Sequence, residues 1–126
     1  MTETSKIKVF ILEDNLLRMP VFRRKLYNLL NSDFTIFHAI NVKEAIEMYE
    51  RFNGDFDIFF LDHDLGDEVY VDSDNEDTGY QFAKYLAAQG IDGLNKTVIT
   101  HSLNVPGRKN ICSCFEKCIE MPITNF

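Results

Sequence analysis

The sequence predicts one α/β domain, residues 1–126, in which helices cover both faces of a parallel sheet. Short apolar runs alternate with segments of helical period along the chain. The 126 residues suffice for one core of ordinary size, and 45% hydrophobic with 26% charged residues is typical of a globular chain. Such alternation implies right-handed crossovers between parallel strands. Ligands are therefore expected beyond the carboxyl ends of the strands.

Five short apolar runs are the predicted strands. The first, KIKVFIL, is apolar on both faces at its end, as expected of a strand that is covered on both sides. The third, FDIFFLD, is the most apolar. Pro122 has no amide hydrogen and confines the fifth run to a sheet edge or a bulge. The five runs lie at 6–12, 34–40, 56–62, 96–100 and 118–123.

The first two predicted helices follow the first two strands, and each has one apolar face at helical spacing. Pro20 suits the first turn of the first helix, where no amide hydrogen is needed. Asn41 with Glu44 is a capping box that opens the second helix, and Asn53-Gly54 ends it. The two apolar faces consist of Phe22, Leu26, Leu29 and Leu30, and of Val42, Ala45, Ile46, Tyr49 and Phe52.

Two further helices are predicted on either side of the fourth strand. Thr78 with Gln81 is a second capping box, and Gly90 closes the helix that it opens. Pro106-Gly107 opens the last helix. The inward faces of these helices consist of Gly79, Phe82, Ala83 and Leu86, and of Ile111, Cys114 and Phe115.

The negative charge is concentrated in one loop insertion. Six of the acids behind the net charge of −7 lie at 67–77, so the rest of the chain carries only −1. Broad nucleic-acid binding needs a basic footprint, so this class of function is excluded. Asp72, Asp74 and Glu76 alternate as calcium ligands do, but the central glycine and closing glutamate of an EF-hand are missing. We interpret the loop as solvated and mobile, and its position beside the predicted site still allows a lid or an electrostatic filter against other anions.

No segment indicates export or a membrane span. The first six residues are polar and lack a basic end followed by an apolar run. No apolar stretch approaches the ~20 residues that a membrane span needs. The three cysteines, Cys112, Cys114 and Cys118, lack the paired spacing of a zinc site. We interpret them as free thiols and expect a cytoplasmic protein.

Polar groups follow three predicted strands at the point where each strand ends. Residues 13–15 read Glu-Asp-Asn, residues 62–64 read Asp-His-Asp, and residues 100–102 read Thr-His-Ser. Four carboxylates at one sheet edge repel one another unless a cation neutralises them. Oxygen ligands of this kind suit Mg²⁺ or Mn²⁺, so the pattern indicates a metal and phosphate site. Taken singly, the same residues are also common helix caps and turn formers.

Most of the sequence resembles the response-regulator receiver domain. The segments ILEDN at 11–15, FFLDHDL at 59–65 and Thr97–Ser102 look like the first, third and fourth strands of that domain. The resemblance implies a flavodoxin-like three-layer sandwich whose five-stranded parallel sheet has the order 2-1-3-4-5.

Three more particular segments are similar to a variant of this domain, the cyclic-phosphate-processing receiver domain of prokaryotic and phage genomes. They read LDHDLG at 61–66, TGYQFAKYL at 78–86 and HSLNVPGRKNI at 101–111. The residues that match the variant's own signature are His63, Asp64, His101, Ser102, Asn104, Gly107 and Asn110.

The general receiver resemblance also implies roles for single residues. Glu13 and Asp14 match the acidic pair that holds the metal. Asp62 matches the aspartate that ligates Mg²⁺ and accepts a phosphoryl group in ordinary receivers. Ser102 is the nearest match to the receiver's switch hydroxyl.

The sequence departs from ordinary receivers in two places. Ordinary receivers carry a lysine at the end of strand five, where it stabilises phosphate charge, whereas Met121 precedes Pro122 here. The fifth receiver helix, which belongs to the usual output face, is absent after the last predicted strand. Its loss would bare apolar surface, so we expect a homodimer or a protein partner there unless the tail around Phe126 covers that surface.

The first functional hypothesis is metal-dependent hydrolysis of a cyclic phosphate, such as a cyclic nucleotide or a cyclic RNA end. Imidazoles titrate near neutral pH and can move the protons that this reaction needs. The expected Mg²⁺ or Mn²⁺ ligands are Glu13, Asp14, Asp62 and Asp64. The expected catalytic residues are Asp62, His63 and His101. The expected phosphate-binding residues are Ser102, Asn104, Gly107 and Arg108.

Several alternatives stay open. The chain can be a signalling receiver that is phosphorylated on Asp62 by a partner kinase, or a degenerate receiver that only binds a protein. Asp62 can also attack a cyclic phosphate directly. Each site histidine can simply hydrogen-bond a neighbouring carboxylate, and His38, inside the second predicted strand, is expected to be structural. Arg18 and Lys109 flank the predicted site.

Overall fold

A computed structural model describes residues 6–65 and 72–126. Gly66 and the first part of the predicted acidic loop, 67–71, lie outside these residues. The strands are β1 (Ile7–Leu12), β2 (Phe34–Ala39), β3 (Ile58–Leu61), β4 (Thr97–Thr100) and β5 (Ile119–Glu120). The helices are α1 (Met19–Leu29), α2 (Val42–Arg51), α3 (Gly79–Ala88) and α4 (Val105–Cys112), and single 3₁₀ turns span Leu16–Arg18, Ile91–Gly93 and Ile123–Asn125.

The five strands form one parallel sheet of order β2-β1-β3-β4-β5, which confirms the predicted topology. Leu12 of β1 pairs with Leu61 of β3, and Leu61 pairs in turn with Thr100 of β4. The next residue of each strand therefore emerges at the same height on the same sheet edge. This register is what brings the polar groups after β1, β3 and β4 together.

The sheet is buried on both faces. Phe10 and Leu12 of β1 face one core, which contains Phe82 of α3, whereas Val9 and Ile11 face the other. Alternate residues of a strand point to opposite faces, so a run that is apolar at every position requires cover on both sides. The second core is completed by Phe22 and Leu26 of α1.

The ends of α2 follow the sequence signals. The Asn41 side chain accepts a hydrogen bond from the Glu44 amide at 2.8 Å, as a helix cap does. Asn53 and Gly54 end the helix with positive φ angles of 54° and 68°. Phe52, predicted on the inward face, lies just after the last helical residue, Arg51, and is 42% exposed, although its ring still contacts Phe37 at 5.1 Å between centroids.

The predicted capping box at Thr78 is wrong. Thr78 precedes α3, but its hydroxyl donates to the carbonyls of Ser73 and Asn75 instead of capping the helix. The Gln81 side chain also donates to the Ser73 carbonyl, at 2.8 Å. Both side chains are therefore engaged by the loop that precedes the helix.

The end of α1 and the start of α4 differ slightly from prediction. Leu29, predicted on the α1 stripe, is 49% exposed because the helix ends there and Leu30 turns back to pack on the core. Helix α4 begins at Val105, and Asn104 caps it by accepting from the Gly107 amide at 2.9 Å.

Two of the three predicted free thiols form a disulfide, Cys112–Cys118. Cys112 is the last residue of α4 and Cys118 immediately precedes β5, and the short loop between them brings their Cα atoms to 5.1 Å. Cys114 is free and partly buried, and burial raises the pKa of its thiol. The prediction of three free thiols is therefore wrong, and the cysteines do not support a reducing compartment.

The tail beyond β5 packs on the second core. The Phe126 ring lies edge-on to Phe22 at 5.2 Å between centroids, and the Lys25 ammonium lies 5.7 Å from the Phe126 ring. Met121 and Ile123 pack against the same core. The tail thus covers apolar surface in this region, and the expected homodimer or partner on this face stays a prediction.

Among residues 6–65 and 72–126, no helix is long and apolar enough to cross a bilayer.

Gly79→Ala is expected to destabilise the fold because a Cβ at Gly79 would lie 1.7 Å from the Asp62 carbonyl oxygen. Overpacking against backbone typically costs about 1–3 kcal/mol, so the urea midpoint should fall. Gly93→Ala is the matched control, since a Cβ there meets nothing within 4 Å. Equal midpoints for the two variants would contradict this packing.

Candidate functional site

Three buried ionisable groups converge where β1, β3 and β4 end. Glu13, Asp62 and His101 each offer one ligand atom, and these atoms lie within 4.8 Å of one another. Their exposed fractions are 0%, 3% and 0%. The sheet register delivers one group from each strand, so we call these three residues the strand-end cluster.

Glu13 is held as a carboxylate. Its Oε1 accepts from His101 Nε2 at 2.9 Å and from Arg18 Nη1 at 3.1 Å, and its Oε2 accepts from the Asn15 amide at 2.9 Å. Burial acts to raise its pKa, but these hydrogen bonds, that of His101 first among them, and the charge of Arg18 outweigh burial and lower the pKa. His38 supports the same segment, because its Nε2 lies 2.6 Å from the Glu13 carbonyl.

Asp62 is less well compensated than Glu13. Its Oδ1 accepts from the His63 amide at 2.9 Å, and its Oδ2 lies 3.6 Å from Arg18 Nη1. Burial and the neighbouring charge of Glu13 raise the pKa of Asp62 well above its ordinary value. A divalent cation beside this carboxylate would remove both penalties.

His101 has one unsatisfied nitrogen. Its Nε2 faces a Glu13 oxygen that only accepts, so the neutral ring carries its proton there and leaves a lone pair on Nδ1. Within residues 6–65 and 72–126, that Nδ1 has no hydrogen-bond partner. Burial lowers the pKa of His101, although Glu13 opposes this. The ring is held edge-on to Phe22 at 4.7 Å.

The strand-end cluster fits a small divalent cation. The two carboxylates of the cluster are oxygen ligands of the kind that suit Mg²⁺ and Mn²⁺, and the buried imidazole of His101 holds one of the carboxylates in place. Asp14 is partly buried, and its charge helps to raise the pKa of Asp62, so it lies near the cluster.

A second polar group surrounds His63, which is fully buried. His63 Nδ1 lies 2.8 Å from Asp64 Oδ1, and the same oxygen accepts from Asn104 Nδ2 at 3.0 Å. Asp64, expected as a metal ligand, is therefore placed beside His63. A Cβ on Gly107 would lie 2.4 Å from the His63 ring, so only glycine allows α4 to approach this closely.

Ser102 and Arg108, both expected to bind phosphate, make internal contacts. Buried Ser102 accepts from the Asn104 amide through its hydroxyl oxygen at 3.1 Å. Arg108 Nη1 donates to the Ser102 carbonyl at 2.7 Å, and its Nε donates to Glu120 at 3.1 Å. Lys109 also pairs with Glu120, at 3.1 Å. These bonds brace the β4–α4 connection.

Ser73 is a site residue that sequence reasoning missed. Its Oγ lies 2.7 Å from His63 Nε2 and accepts from Asn110 Nδ2 at 2.8 Å. It belongs to the acidic segment that composition marks as a solvated loop. Ten residues separate it from His63, and no spacing rule in the sequence predicts the contact.

A cleft of about 530 Å³ opens beside this second group. It is lined by Asp72, Ser73, Asp74, Tyr80, Asn104, Pro106, Gly107 and Asn110. Asn104 and Gly107, both expected to bind phosphate, are among the lining residues, and none of those residues is basic.

The sheet order and the acidic groups at its carboxyl edge define a receiver-type domain. Among similar solved structures, chemotaxis protein CheY4 of Vibrio cholerae is 13% identical with a TM-score of 0.65, over 97% of this chain and 89% of that chain. The phosphorylated cyanobacterial phytochrome response regulator RcpA is 15% identical with a TM-score of 0.67, over 94% and 81%. The CheX-CheY-BeF3-Mg complex from Borrelia burgdorferi matches at 17% and 0.61, over 92% and 78%. These likenesses show the shared fold.

The family can be stated more narrowly. The sequence model of the cyclic-phosphate processing receiver domain matches residues 9–117. The chain therefore belongs to this family, as the signature segments predict. No curated protein matches the sequence.

Asp62→Asn is expected to raise the free energy of unfolding of the metal-free protein at pH 7, because it removes a charge that burial and Glu13 disfavour. A carboxyl whose pKa is raised on folding destabilises the protein above its unfolded pKa. The advantage of the variant should therefore shrink as the pH falls towards 3.8, in urea titrations with a chelator. Asp33→Asn, at an exposed position on the opposite edge, is the control. A variant less stable than the wild type at pH 7 would overturn this view of the cluster.

Proposed function

We propose that the chain is a metal-dependent phosphoesterase that hydrolyses a cyclic phosphate, such as a cyclic nucleotide or a cyclic RNA end. The observation that carries the proposal is the convergence of Glu13, Asp62 and His101 at one edge of the sheet. The description of the family as cyclic-phosphate processing supports the substrate class.

The strand-end cluster is the part that would hold the metal. We assign Mg²⁺ or Mn²⁺ to Glu13, Asp14 and Asp62, and we assign Asp64 to His63, because Asp64 Oδ1 already accepts from two partners. When bound, the cation would neutralise charge on the phosphate and lower the pKa of bound water. Arg18, within 4 Å of both Glu13 and Asp62, would add a fixed positive charge.

His63 is the proton-transfer group that the geometry favours. Asp64 Oδ1 favours the tautomer of the neutral ring with its proton on Nδ1, so the Nε2 lone pair points to the hydroxyl of Ser73, a residue that lines the cleft. His101 is fully buried and holds Glu13 in place. We assign it a positioning role.

The phosphate would lie in the cleft beside Asn104 and Gly107. A ring-opening step needs a proton acceptor for the nucleophile and a proton donor for the departing oxygen, and one imidazole can serve both in turn. Ser102 and Arg108 would act through the β4–α4 connection that they brace.

A second candidate function is a receiver phosphorylated on Asp62. The position of Asp62 at the end of β3 in a receiver fold favours it. Asp62 is 3% exposed and lies 3.6 Å from Arg18, so phosphorylation would require Arg18 to move or to accept the phosphoryl group as a partner. A protein partner, expected on the face around the tail, would belong to this second function.

Mg²⁺ or Mn²⁺ is expected to raise the melting temperature of the wild type by several degrees. A ligand that binds only the folded state at a hundredfold excess over its Kd stabilises by about 2.7 kcal/mol. Asp62→Asn should abolish the shift, and Asp33→Asn should keep it. A shift of the same size in Asp62→Asn would place the ion elsewhere.

Incubation with Mg²⁺ or Mn²⁺ and a panel of 2′,3′- and 3′,5′-cyclic nucleotides is expected to yield a ring-opened monoester, detected by phosphorus NMR. Asp62→Asn should lower the rate at least about 100-fold, as loss of a metal ligand or a catalytic group does. Intact cyclic phosphates with every metal tested, together with a phosphoryl adduct on Asp62 from a small phosphodonor, would favour the receiver function instead.

A further inference from the structure

The His63 group contains a serine, a histidine and an aspartate in series. Ser73 Oγ lies 2.7 Å from His63 Nε2, and His63 Nδ1 lies 2.8 Å from Asp64 Oδ1. These are the distances at which a hydroxyl, an imidazole and a carboxylate share two consecutive hydrogen bonds.

The direction of these two bonds follows from the chemistry of the acceptors. A carboxylate oxygen only accepts, so Asp64 selects the tautomer with the proton on His63 Nδ1. In the neutral ring, His63 Nε2 then has only a lone pair to offer, so the Ser73 hydroxyl donates to it. This is the arrangement that activates a serine as a nucleophile.

Ser73 is held at the surface of the cleft by its own backbone. Its carbonyl accepts from Gln81 Nε2 at 2.8 Å and from the Thr78 hydroxyl at 3.3 Å. The side-chain Nδ2 of Asn110, on α4, donates to Ser73 Oγ at 2.8 Å. Ser73 is therefore held through its carbonyl and through its hydroxyl, and it still lines the cleft.

From this geometry we propose that Ser73 is the nucleophile of the reaction, with His63 as its general base and Asp64 as the residue that orients His63. The inference rests on the proposed function for its substrate, a cyclic phosphodiester. It differs from that function in its first product, which is a covalent phosphodiester between Ser73 Oγ and the ring-opened substrate instead of the free monoester.

The two steps balance without any further reactant except water. In the first, a bond forms between Ser73 Oγ and phosphorus, a ring P–O bond breaks, and the Ser73 proton passes through His63 Nε2 to the departing oxygen. In the second, a water oxygen bonds to phosphorus, the Ser73 Oγ–P bond breaks, and the water proton passes through His63 to Ser73 Oγ. The net change is a cyclic diester plus water giving a monoester.

The negative charge of the cleft limits which phosphorus compounds can enter it without a metal ion. Asp72 and Asp74 line the cleft, and among residues 6–65 and 72–126 no lysine or arginine does. An anionic phosphate therefore has to enter together with a cation, whereas a neutral phosphorus electrophile does not. A neutral phosphorus electrophile can therefore test the reactivity of Ser73 while a chelator keeps the metal away.

The test is covalent labelling of the full chain with a neutral fluorophosphonate in the presence of a chelator. Attack by Ser73 forms its Oγ–P bond and releases fluoride, and mass spectrometry should locate one adduct on Ser73. Ser73→Ala should abolish the adduct. Asp64→Asn should slow labelling by about tenfold or more, because it removes the charge that stabilises the protonated ring. Ser32→Ala, an exposed serine on the opposite edge, should label as the wild type does.

An unlabelled wild type, or equal labelling of the wild type and Asp64→Asn, would overturn the inference, provided that circular dichroism shows each variant folded. Cyclic-phosphate turnover that is unchanged in Ser73→Ala would also overturn it, and would leave the proposed function standing with water as the attacking group. Labelling at Ser73 without turnover of any cyclic phosphate would instead overturn the proposed function and the substrate named here, and would leave Ser73 as an activated nucleophile.

Discussion

The structure depends on a pair of buried carboxylates that the sheet register forces together. Glu13 and Asp62 follow residues that pair across β1 and β3, so neither can move away without breaking the ladder. His101 and Arg18 stabilise the charge of Glu13. The pKa of Asp62 stays raised because its few polar contacts do not offset its burial and the nearby charge of Glu13. Buried like charges of this kind destabilise the fold, and the proposed cation would remove that cost when it binds.

The two polar groups of the site come from different parts of the sequence. The strand-end cluster comes from three strand termini, as the alternation of apolar runs predicts, whereas the His63 group depends on a loop and on α4. Gly79 and Gly107 join the two, because each lets a helix approach the segment 62–63 more closely than a side chain would allow. Replacing either glycine should therefore disturb the site as well as the core.

Much of the fold could be predicted because its signals are local. The alternation of strands and helices predicts a parallel sheet, the resemblance to receiver domains implies the order of its strands, and Asn41 and Gly54 mark the ends of α2. The disulfide Cys112–Cys118, the use of Thr78 by the preceding loop and the contact of Ser73 with His63 could not be predicted, since each depends on how a loop folds back. An acidic composition predicts that a loop is solvated on average, but it does not predict which single residue, such as Ser73, contacts the rest of the domain.

We expect a divalent cation to bind between the carboxylates of Glu13 and Asp62. An anomalous difference map from crystals of the wild-type chain soaked in Mn²⁺ measures this binding. One strong peak should lie within about 2.5 Å of an oxygen from each of these two carboxylates. A map without a peak there, with Arg18 still bound to both side chains, would exclude this binding site.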